Sequence, residues 1–98
     1  MGLEIVVARS HPCPLSPILE RLRAAGLPST VAMVDGVLQG PGAVPSLDWR
    51  DVRLRTPAGV VTLRRAPGGV AIVVFGNADG ALQAAQRTVA EAVRLSGP

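Results

Sequence analysis

Two proline-glycine turns set ten residues apart, Pro57-Ala58-Gly59 and Pro67-Gly68-Gly69, restrict the second half of this chain more than any other feature. Proline presets one backbone angle and removes a donor, and glycine takes the left-handed conformations that close a tight reversal. Together they cut the stretch from Asp51 to Phe75 into three runs of strand length. In the first, Val52 and Leu54 face one way and Arg53 and Arg55 the other, a period of two. The second runs from Val60 to Arg65. The third, Val70 to Phe75, sets Val70, Ile72 and Val74 on one face and Ala71, Val73 and Phe75 on the other, so both its faces are apolar. Three consecutive strands joined by tight turns predict an antiparallel meander.

The same turn chemistry predicts a hairpin earlier in the chain. Asp35-Gly36 separates Thr30–Val34 from Val37–Gln39, and this dipeptide favours a two-residue type I′ turn, where both central positions need positive φ. Ahead of it, Leu3 to Arg9 holds the apolar run Ile5-Val6-Val7-Ala8, which predicts a largely buried strand inside the sheet rather than at its edge. Two prolines make Ser10-His11-Pro12-Cys13-Pro14 a stiff loop.

A helix is predicted from Ser16, with its hydroxyl as cap and Pro17 at the first helical position, to about Ala25. Ile18, Leu19, Leu22 and Ala25 share one face of it, and Gly26 with Leu27 folded back on Leu22 predicts a Schellman-type stop. Gly40 to Asp48, with two glycines and two prolines, reads as an irregular connection that tolerates insertion. After Gly76, either Asn77 or Asp79 caps a second helix to about Leu95. Its apolar stripe is Leu82, Ala85, Val89 and Ala92, and Gln83, Gln86, Arg87 and Glu91 fall off that stripe.

The order strand, helix, hairpin, meander, helix predicts one α+β domain over residues 1–98. The expected architecture is a two-layer sandwich, a mostly antiparallel sheet of about five strands with two helices on one face. With 48% apolar and 17% charged residues the composition favours burial over disorder, and one cysteine leaves the fold to packing alone. No apolar run approaches the roughly 20 residues that cross a bilayer, and no basic region precedes an apolar segment at the N-terminus, so a cytoplasmic protein without membrane partners is expected. The isoelectric point near 11.1 overstates the charge, which is only +3. All ten basic residues are arginine, which raises an isoelectric point without adding charge at pH 7.

If the helices cover the face carrying Val52, Leu54, Val61, Leu63, Ile72 and Val74, the opposite face displays Arg53, Arg55, Thr62, Arg64, Ala71, Val73 and Phe75. An apolar centre ringed by arginine has the composition of an interface, so Arg53, Arg55, Arg64, Ala71, Val73 and Phe75 are the candidate contact residues and a homodimer is expected. The competing arrangement caps this face with the Gly40–Asp48 loop and Trp49, and needs no partner.

Candidate chemistry is sparse. His11 and Cys13 sit ahead of a helix start, where a thiol pKa can fall, but no spacing supplies an orienting group for a nucleophile. They also lack the further ligands of a structural zinc site. The Gly76-Asn77-Ala78-Asp79-Gly80 loop resembles an anion-binding helix start, yet its glycine spacing is not the dinucleotide fingerprint, and Asp79 occupies the place of a phosphate. Neither a catalytic constellation nor a cofactor or metal site is predicted. Arg50, Arg53, Arg55, Arg64 and Arg65 together make the case for nucleic acid or another anionic ligand, against which one Trp, one Phe and no Tyr leave no stacking platform.

The stretch from Asp51 to Leu95, with Val52-Arg53-Leu54-Arg55-Thr56-Pro57-Ala58-Gly59-Val60-Val61-Thr62-Leu63-Arg64-Arg65, the apolar Val70–Phe75 strand and the final helix, resembles the second half of roadblock/LC7 domains. Val34-Asp35-Gly36-Val37-Leu38 looks like the first hairpin of that family. The strand, loop and helix from Gly69 to Ala85 also look faintly like bacterial microcompartment shell domains. The roadblock resemblance implies a non-enzymatic dimer that scaffolds or regulates a partner such as a small GTPase, and it carries no catalytic residue to this chain.

Overall fold

The computed structural model describes residues 3–9, 13–40, 47–76 and 78–96. The elements follow as β1 (Leu3–Ala8), α1 (Leu15–Ala24), β2 (Thr30–Val34), β3 (Val37–Leu38), β4 (Asp51–Thr56), β5 (Gly59–Ala66), β6 (Gly69–Val74) and α2 (Gly80–Leu95). The six strands form one sheet in the order β1-β6-β5-β4-β2-β3, with every neighbouring pair antiparallel. The strand count exceeds the expected five by one, since even the two-residue β3 pairs with β2.

The turns act as their chemistry requires. Asp35 and Gly36 take φ of 50° and 83° between β2 and β3, and Gly68 takes 74° after Pro67. Asp35 also accepts backbone N–H bonds from Arg50 and Asp51 at 2.9 Å, which ties the hairpin turn to the start of β4. In β2 the register shifts between Val31 and Met33, so Ala32 is an extra residue. The bulge keeps Val31 and Val34 on the same side as Leu54 and Val52.

Both helices serve that side. Leu15, Ile18 and Leu22 of α1 and Ala85, Val89, Ala92 and Val93 of α2 join one buried cluster with Val52, Leu54, Val61, Leu63, Ile72 and Val74. α2 lies over β1, β6 and β5 and packs against α1. The stop of α1 has the Schellman pattern, with Leu27 N–H donating to the Leu22 carbonyl at 2.8 Å and Gly26 N–H to that of Arg23 at 3.1 Å.

Three expectations are corrected. The cap of α1 is Pro14, in extended conformation and without a side-chain hydrogen bond, so Ser16 lies inside the first turn and caps nothing. Pro17 still falls among the first four residues, whose amides have no helical acceptor, so its missing donor costs nothing there.

β1 is an edge strand rather than an interior one, paired among the described residues with β6 alone, and only its Val7 is buried. A continuous apolar run states that both faces are apolar, not that a neighbour lies on each side. Gln86, placed off the apolar stripe of α2, is 3% exposed. Its amide donates to the carbonyls of Leu3 and Ile72, at 3.0 and 2.9 Å, and so ties the edge strand to its neighbour from the helix layer. The α2 cap is Asp79, whose carboxylate accepts from Leu82 N–H at 2.8 Å.

Candidate functional site

The cross-strand register brings the expected contact residues onto the face that the helices leave open. Read across the sheet, one row runs Met33, Arg53, Thr62, Val73, Glu4, and the next runs Asp51, Arg64, Ala71, Val6. Arg55 lies one step along β4 from Arg53 on the same face, opposite Val60. Phe75 follows the end of β6, and the Arg64 guanidinium stands 5.9 Å above its ring centroid. All six candidates, Arg53, Arg55, Arg64, Ala71, Val73 and Phe75, therefore share one surface.

They play two parts on it. Ala71 and Val73 are each 5% exposed and Thr62 is 1%, although α1 and α2 both lie on the other face. Short side chains on central strands are shaded by longer neighbours, and arginine stems cover apolar surface while their heads stay wet. These residues form a floor. The relief is made by the arginines, by Phe75 at 53% exposed, and by further exposed apolar groups outside the six candidates, Val6 at 58%, Val60 at 45% and Leu38 at 77%. Val6 lies outside those candidates because a strand expected to be buried on both faces offers no exposed side chain.

The charge on this face is mixed. Arg64 pairs with Asp51 at 3.2 Å, Arg53 and Arg55 are exposed along β4, and Glu4 lies on β1 at the far side. Arg65 does not belong with them. Its register partner is Val70, on the helix side, where its guanidinium lies 5.3 Å from the Trp49 ring centroid and donates to the Leu47 carbonyl at 2.6 Å.

Trp49 likewise faces the core. It is 1% exposed and its indole N–H donates to the Cys13 carbonyl at 2.9 Å. It does not cap the open face, which removes half of the competing arrangement; residues 41–46 of the loop in the other half lie outside the described residues.

The remaining candidates have structural roles or lie outside the description. Cys13 is buried, and burial pushes its thiol pKa up against the opposing pull of Arg9 and Arg65, the direction opposite to nucleophile activation. His11 and Asn77 are outside the described residues. At the helix start that looked like an anion site, the Asp79 carboxylate occupies the Leu82 amide. Among the described residues no group of three or more His, Cys, Asp or Glu is placed to hold a metal ion, and no helix is long and apolar enough to cross a membrane. Compared with protein families, curated proteins and solved structures, the chain matches none of them.

Proposed function

We propose that this chain is a non-enzymatic protein-protein interaction or scaffolding module that self-associates through the sheet face or a sheet edge and binds another protein through the open face of its sheet. The observation that supports it is the composition of that face: an apolar floor of Ala71 and Val73, a raised rim of Val6 and Phe75, and Arg53, Arg55 and Arg64 around them. Apolar centres with aromatic and arginine residues are what protein interfaces enrich. The resemblance to roadblock/LC7 domains adds a small GTPase as a partner class, although β1 and the segment between β3 and β4 have no counterpart in the residues that carry it.

The test is a pull-down with the tagged full chain and with Phe75→Asp, each split into nuclease-treated and untreated halves. Phe75 is exposed beyond the end of β6, so the substitution alters the face and not the core. The expected result is one stoichiometric protein captured by the parent, indifferent to nuclease and lost with Phe75→Asp. Capture that ignores Phe75→Asp overturns the assignment of the face.

The alternative reading is a nucleic-acid or anionic-ligand binder, favoured by three arginines sharing one surface. Asp51 and Glu4 on the same surface weigh against it. Affinity for a single-stranded oligonucleotide that falls steeply between about 50 and 200 mM salt, the mark of counterion release, would put this reading first.

A further inference from the structure

We infer that the chain self-associates by adding β1 to the β1 of a second copy, antiparallel about a twofold axis through Val6. This rests on the reading of a self-associating module and names the surface. The two edges of the sheet differ. β3 is two residues long, and a short edge strand offers little to a partner. β1 is six residues long, contains neither proline nor lysine, has one charged residue, and leaves Leu3 and Val6 about half exposed. Of the usual devices that blunt an edge strand from within, it carries only the single charge of Glu4, with no proline, no lysine and no bulge.

The backbone itself selects the register. Arg9 N–H donates to the Gly68 carbonyl, which continues the β1–β6 ladder by one residue. In an antiparallel pair the backbone groups of successive residues point alternately toward the partner and away from it. Leu3, Ile5 and Val7 therefore bond to β6, and Glu4, Val6 and Ala8 turn their amides and carbonyls outward. A twofold axis through Val6 pairs Val6 with the partner's Val6, Glu4 with the partner's Ala8, and Ala8 with the partner's Glu4. Three pairs exchanging two bonds each use every outward group of the strand, whereas an axis through Ile5 or Val7 leaves part of them unmatched.

The side chains fit the same register. Residues paired across an antiparallel ladder lie on one face. The helix layers of both copies then fall on one side, and their open faces join into one surface. On the helix side Ile5 meets the partner's Val7. There a groove of about 550 Å³ between β1 and α2, lined by Ile5, Val7 and Ala90 with Arg87, Glu91 and Arg94 beside them, receives the partner's apolar pair. On the open face two half-exposed Val6 side chains cover each other, and each Glu4 stands opposite Ala8, which leaves it no like charge to face.

The experiment is sedimentation equilibrium of the full chain from about 1 to 200 µM, with variants chosen by register. Val6→Pro removes an outward amide that the β6 ladder does not use, so the monomer folds and dimerisation weakens by at least about thirtyfold. Ala8→Glu sets carboxylates opposite both Glu4 residues and weakens the dimer about threefold to tenfold, and adding Glu4→Lys restores it. Circular dichroism confirms the fold of each variant, and the charge pair decides the matter if Val6→Pro unfolds. A parent chain monomeric throughout overturns self-association altogether. A parent dimer that is indifferent to the charge swap overturns only the β1 edge.

Discussion

Gln86→Leu tests the tie between the helix layer and the edge strand, because leucine keeps nearly the same volume and removes the amide. In the parent, Gln86 donates to Leu3 and Ile72, whose register partners are Val74 and Ile5. Both carbonyls already accept a ladder bond by the alternation of an antiparallel pair, so the substitution orphans neither of them. What is lost is two additional bonds, each with a net worth of about 0.5–1.5 kcal/mol.

Leucine recovers part of this, since no amide has to be taken out of water, and the expected loss is about 1–2 kcal/mol. For a domain of this size that lowers the melting temperature by about 5–15 °C. The assay is urea unfolding, with a lower midpoint at unchanged slope, combined with hydrogen exchange of the β1 amides. Ile5 and Val7 should lose protection before any residue of β5, because β1 is held by one ladder and this tie. A Gln86→Leu chain that unfolds at the parental urea concentration, with β1 exchange unchanged, refutes the reasoning.

Two further substitutions probe close packing and titration. A β-carbon on Gly69 would lie 2.3 Å from the Val7 carbonyl oxygen. Gly69→Ala should therefore cost about 1–3 kcal/mol by urea midpoint, where an unconstrained strand glycine would gain stability from alanine. Burial raises the Cys13 pKa above its ordinary value, so the folded chain holds the thiol proton more tightly than the unfolded one. That stability is complete below the unfolded pKa of about 8.5 and is lost as pH rises toward the folded value. With no lysine and no tyrosine in the chain, Cys13 is the one side chain whose ordinary pKa lies between about pH 8 and 11. The fall in urea midpoint over that range should therefore be smaller in Cys13→Ala, and an identical slope would contradict the assignment.

Local chemistry made much of this fold legible from the sequence. Asp35-Gly36 and Pro67-Gly68 specify their turns through backbone angles that few other residues adopt, and the period of two from Asp51 to Phe75 separates the core face from the arginine face. Gly26 and Leu27 specify the end of α1 in the same way. Each of these signals acts over a few residues and needs no knowledge of the rest of the chain.

The order of strands was not legible in that way. Pairing β1 with β6 and leaving its other side open depends on which distant segments bury the most surface together, and the run Ile5-Val6-Val7-Ala8 reads the same in either position. Gln86 follows from that order, since a polar residue enters a helix interface only where carbonyls of two strands come within its reach. Arg65 and Trp49 reached the helix side for a similar reason, as Trp49 found the Cys13 carbonyl across the chain and Arg65 lies over its ring. Sequence period determined which side chains share a strand face, and tertiary pairing alone decided which strand stands at the edge, because edge and interior differ in neighbours and not in residues.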